Sequence, residues 1–121
     1  MSEVIPVTKD NYDATVARPG IVLVDCWAPW CPACKTFAPV FEAAAGRYPN
    51  YTFAKLNTQE EKELTASLGV SHIPSLILYR DGIGLYNEPG SPGPAELEDI
   101  IRQAEQLDME AVRRQMSQPP G

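Results

Sequence analysis

The stretch IVLVDCWAPWCPACK, residues 21–35, runs from a β-branched apolar segment straight into two cysteines separated by Pro32 and Ala33. Residues 21–28 read as a strand buried on both faces, because the apolar run is nearly unbroken and short. Period-two alternation puts Ile21, Leu23, Asp25 and Trp27 on one face and Val22, Val24, Cys26 and Ala28 on the other. A helix then runs from about Pro32 to Tyr48, with Phe37, Val40, Phe41 and Ala44 at helical spacing. Pro32 suits the first helical position, where its missing N–H costs nothing. Pro39 lies inside the same helix and predicts a kink, since it removes a donor and crowds the carbonyl of Lys35.

A C-x-x-C pair can be half of a metal site, a staple or a reactive dithiol. Structural zinc sites mostly need four ligands, and here the remaining candidates are the distant His72 and Cys26, which faces away. Three cysteines are too few for a disulfide scaffold. The strand-to-helix placement favours the reactive dithiol over an inert core pair. Cys31 falls at the helix N-cap and Cys34 three residues inside, which brings their α-carbons within disulfide range. The free N–H groups and positive dipole end of the helix then face the Cys31 sulfur, stabilise its thiolate and lower its pKa. Cys31 becomes the attacking sulfur and Cys34 the resolving one.

Asp25 is anomalous, as a carboxylate in a buried strand loses hydration and its pKa rises. It lies on the face that leads into the cysteine helix, where a buried acid can accept and return the proton that resolution by Cys34 requires. Lys55, mid-strand in FAKLN, pairs with Asp25 if the two strands are neighbours; an ordinary exposed lysine is the plain alternative. Trp27 reads as packing, Cys26 as a small core residue and His72 as an exposed side chain beside a possible groove.

Outward from this stretch, VIPV (4–7) reads as a short strand, and Thr8 or Asn11 as the cap of a short helix ending near Val16. YTFAKLN (51–57) is a strand, Thr58 and Glu61 form a possible capping box, and Gly69 closes the helix that follows. SLILYR (75–80), Asp81-Gly82 and IGLYN (83–87) form a hairpin. GIGLYN lacks the last glycine and the helix of a dinucleotide loop. Leu97, Ile100, Ile101, Ala104 and Leu107 mark a final amphipathic helix, continuing to about Gln115, and SQPPG is expected to fray. Together these describe an α/β domain: a mixed sheet with helices on both faces.

The chain of 121 residues has the length of one domain. No apolar run approaches a membrane span, and MSEVIPVTKD shows no secretory pattern, so a cytoplasmic protein is expected. Without such a signal, the sequon NYT (50–52) carries no expected role. Ten Lys and Arg against sixteen Asp and Glu give a net charge of −6 with the acids scattered, which argues against nucleic acid as partner.

VLVDCWAPWCPACKTFAPV, AKLN, GVSHIPSLILYRDG and PGSPGPAELEDII closely resemble the thioredoxin family, over about residues 4–107. The resemblance implies a five-stranded mixed sheet with four flanking helices, with a thioredoxin domain over 1–107 and a C-terminal helix extension and frayed tail over 108–121. It implies Cys31 as nucleophile, Cys34 as resolver, Asp25 as buried acid and Lys55 as its neighbour. It further implies that Trp30 covers the dithiol, that Ile73-Pro74 is a cis peptide whose Ile73 backbone would bind an extended substrate, and that Gly90 keeps the adjoining loop free of a side chain. It implies no bound cofactor beyond the redox-active disulfide. It implies protein disulfides and a flavin-dependent thioredoxin reductase as partners and a monomer as the expected state, while charge and hydropathy argue against nucleic acid and membrane. Family members typically carry Gly-Pro between the cysteines. Pro32-Ala33 departs from that, which by analogy makes the protein less reducing, towards an oxidase or isomerase. A docking module using Trp30 and Pro74 without catalysis is the further alternative.

Overall fold

The computed structural model describes residues 4–117. Five strands, β1 (Val4–Val7), β2 (Ile21–Trp27), β3 (Thr52–Asn57), β4 (Ser75–Arg80) and β5 (Ile83–Pro89), form one mixed sheet in the order β1-β3-β2-β4-β5. β1 and β2 run parallel to β3, while β4 runs antiparallel to β2 and β5. The helices are α1 (Tyr12–Val16), α2 (Pro32–Arg47), α3 (Lys62–Ser67), α4 (Pro94–Gln106) and α5 (Met109–Ser117).

β2 is central, so both of its faces are covered and its apolar run is continuous. Ile21 and Leu23 pack under α2 and α4 with Phe37, Phe41, Phe53, Leu97 and Ile101. Val22, Val24 and Cys26 pack on the other side with Tyr12, Val16 and Leu56, beneath Leu64 and Leu68. The expected alternation of β2 thus separates two cores. The two strands of the hairpin meet at Asp81-Gly82, whose φ values of 53° and 80° are those of a two-residue turn matched to sheet twist.

Local details differ from the sequence expectations. Thr58 and Glu61 make no capping box. The Thr58 hydroxyl donates to the carbonyl of Trp27, Glu61 accepts from the Lys9 N–H, and Asn57 Oδ1 accepts from the N–H groups of Gln59 and Glu60. The first ties the end of β2 to the loop after β3, the second ties that loop to the one after β1, and the Asn57 bonds are local. Asn11 takes the N-cap position of α1, but its carboxamide oxygen accepts from Thr8 N, outside the helix. The last helix does not continue to Gln115 in one piece. It breaks at Leu107–Asp108, where Arg80 donates to the carbonyls of Ala104, Glu105 and Leu107 and Asp108 accepts from Glu110 and Ala111. Among the described residues there are thus five helices, the four expected of the domain and α5 as the helix of the C-terminal extension. Of the expected frayed tail, Ser117 ends α5, and residues 118–121 lie outside the described residues.

Candidate active site

α2 begins directly beyond β2, so the dithiol sits where the sheet's central strand meets a helix N-terminus. Cys31 is the N-cap, extended at φ −89° and ψ 111°, and Pro32 takes the first helical position. The Cys34 N–H donates to Cys31 Sγ at 3.2 Å, so one free donor of the first turn points at the sulfur. The two cysteines are disulfide-bonded with α-carbons 5.3 Å apart, and only 4% and 3% of their surfaces are exposed. Pro32 and Ala33 are exposed beside them, and Trp30 stands 66% exposed on the preceding turn.

Ile73-Pro74 is a cis peptide, and Ile73 packs, as Trp27 does, against the cluster of Ala28, Cys31 and Cys34. The loop is fixed by the Ser75 hydroxyl, which donates to the His72 carbonyl, and by Gly90 N, which donates to the Pro74 carbonyl at 2.8 Å. A Cβ on Gly90 would meet nothing within 4 Å, so its φ of 125°, not crowding within the chain, is what demands glycine there. A groove of about 350 Å³ runs beside this loop, lined by Trp30, Thr58, Lys62, Val70, His72 and Ile73. His72 is exposed, with its Nδ1 3.0 Å from the Ser71 hydroxyl.

Behind the disulfide, Asp25 is 5% exposed, and burial pushes its carboxyl up to about 7, against a smaller lowering by the charge of Lys55. The parallel register sets Asp25 directly opposite Lys55, and the antiparallel one sets it opposite Leu76. Among the described residues Asp25 and Lys55 form no ion pair. Asp25 Oδ1 and Trp27 Nε1 are buried and find no hydrogen-bond partner among those residues. A cavity of about 170 Å³ joins Asp25, Trp27 and Lys55 to Cys34, with Lys35 and Glu42 also on its wall. Sequence reasoning passed over Lys35 and Glu42; seven residues apart, they share one face of α2, but that spacing alone does not say that the face overlooks a cavity.

Cys26 lies fully buried on the other side of the sheet, where burial first and Asp25 second push its thiol up to about 12. Burial and a raised pKa keep such a thiol protonated and make it a poor nucleophile. Among the described residues no group of three His, Cys, Asp or Glu side chains is gathered to hold a metal, and no helix is long and apolar enough to cross a membrane.

The disulfide at the N-terminus of α2, the buried acid behind it and the cis-proline loop beside it lie in a chain that is similar to known thioredoxins. The chain is 40% identical over 118 residues to a putative thioredoxin 2 of Streptomyces coelicolor, covering 98% of this chain and 88% of that one. It is 43% identical over 76 residues to the thioredoxin of Chlamydia muridarum, covering 63% and 74% of the two chains. A mutant thioredoxin of Halobacterium salinarum superposes with a TM-score of 0.80 at 28% identity, covering 88% of this chain and 94% of that one. Thioredoxins work through a redox-active disulfide and need no bound cofactor, and Cys31–Cys34 supplies one here. The family model for thioredoxin matches residues 3–105, and with those relatives it establishes that the chain belongs to the thioredoxin family of thiol–disulfide oxidoreductases.

Proposed function

We propose that the protein reduces disulfides in other proteins. The observation that carries this reading is the Cys34 N–H aimed at Cys31 Sγ from the first turn of α2, which favours the Cys31 thiolate in the reduced form. The thiolate attacks one sulfur of a substrate disulfide. A Cys31–substrate bond forms, the substrate S–S bond breaks, and one substrate thiolate leaves. Cys34 then gives its proton to Asp25 across the cavity and attacks Cys31 Sγ. The second substrate thiol is released, taking a proton, and the protein is left in the disulfide form seen here. Two electrons pass to the substrate. A flavin-dependent thioredoxin reductase is the matching electron donor.

Trp30, Ile73, Pro74 and Gly90 form the face on which an extended substrate docks, with Lys55 biasing Asp25 and Pro32-Ala33 tuning the dithiol. We assign residues 1–107 to the redox domain and 108–121 to an appendage. The setting we propose is the cytoplasm, as a monomer, with neither nucleic acid nor membrane as partner. The test is turnover of a protein disulfide with thioredoxin reductase and its nicotinamide donor. Wild type turns over and Cys31→Ser does not; equal rates for the two would overturn the reading.

A further inference from the structure

The ring of Trp27 has no task in the exchange steps above, yet it stands in the cavity that joins Asp25 to Cys34. Lys55 leaves β3 on the same face, opposite Asp25. Its side chain does not run to the carboxyl group; its Nζ lies 5.9 Å from the centre of the Trp27 ring. Three places are open to that ammonium. Pairing with Asp25 strips water from both charges in a buried site. Bulk water suits a compact, strongly hydrated cation on a flexible stem. The face of an indole at the cavity mouth offers attraction while leaving the cation partly hydrated.

We propose that Trp27 is a positioning residue whose ring face holds the Lys55 ammonium over the mouth of the Asp25 cavity, near the carboxyl group but not bonded to it. The inference rests on the reading of Asp25 as proton acceptor for Cys34. Its consequence is a carboxyl group that is not locked into an ion pair and is still able to hold a proton. When the Cys34 proton leaves again, a fixed positive charge stands close by to stabilise the carboxylate. The other charged groups facing this space are Lys35 and Glu42 from α2. β4 presents Leu76 to Asp25, β1 presents Val4 to the cavity, and the Cys26 thiol lies on the opposite face of β2.

The experiment follows the Asp25 carboxyl carbon by ¹³C NMR against pH, in the full oxidised chain. Lys55→Met is expected to raise its midpoint by about 0.5–1 pH unit in the otherwise native protein. In Trp27→Leu the same substitution is expected to move it less than half as far, because the lysine already points into water. Trp27→Phe, which keeps a weaker ring, falls between. The Lys55 ε-methylene protons are also expected upfield in the wild type, under the ring current, which keeps the test available if Trp27→Leu fails to fold. Equal effects of Lys55→Met with and without the indole, or unshifted Lys55 protons in the wild type, overturn the proposal. No turnover enters these readings. If they come out as expected while Asp25→Asn leaves resolution by Cys34 unchanged, the role of Asp25 falls and the Trp27 seat stands.

Discussion

Asp25 is held near neutrality because its charged form is disfavoured by burial more than it is favoured by Lys55. Its carboxyl rises from 3.8 to about 7 on folding, so the native state binds the proton more tightly than the unfolded chain. Stability from this group is therefore full below about pH 4, declines as pH rises towards about 7, and is flat above that. Asp25→Asn should remove that slope and raise stability at pH 8 by about 2–4 kcal/mol, with little change at pH 4. Urea unfolding of the oxidised protein at the two pH values measures it, and equal effects at both would contradict the burial account. The same variant should slow resolution of the mixed disulfide. This residue was legible in sequence because an acid interrupts an apolar run. Lys35 and Glu42 were not, because nothing in a helix pattern tells which exposed charges overlook a cavity.

The start of α2 sets the chemistry of the dithiol. The N–H seen to reach the Cys31 sulfur is that of Cys34. Under the proposed reading, Ala33, which keeps a backbone N–H that the proline of a Gly-Pro pair lacks, and Pro32, which fixes the backbone just before it, add to the stabilisation of the thiolate and hence of the reduced form. Replacing Pro32-Ala33 by Gly-Pro should make the reduction potential more negative by roughly 20–40 mV, as about 30 mV equals 1.4 kcal/mol. Equilibration with a glutathione buffer reads this directly, and a shift of the opposite sign would contradict it. At the other end of the sheet, Arg80 closes α4 by donating to its last carbonyls. Arg80→Met should cost about 1–3 kcal/mol in urea unfolding and leave disulfide exchange unchanged. Strands and helices with a clear period were legible: β2, α2 and the hairpin were placed to within a few residues. The break between α4 and α5 was not, because it depends on an arginine from β4 that is distant in sequence. The capping box failed for the same reason, as Trp27 and Lys9 captured its two partners.

The molecule places its buried acid, its disulfide and its cis-proline loop at one end of the sheet because β2 carries the first, leads into the second and pairs with the strand that follows the third. The order of strands and helices was readable from periodicity. The cavity behind Cys34 was not, since it needs residues from β1, β2, α2 and β3 together. α5 lies at the opposite end, where Arg113 approaches Asp81 in the hairpin turn. The central claim is the order of attack: Cys31 first, Cys34 second. It is tested most directly by incubating reduced Cys34→Ser protein with a disulfide substrate and mapping the adduct by mass spectrometry. The account predicts a stable mixed disulfide on Cys31 and no substrate on Cys26. An adduct on Cys26, or full substrate reduction without any adduct, would contradict it.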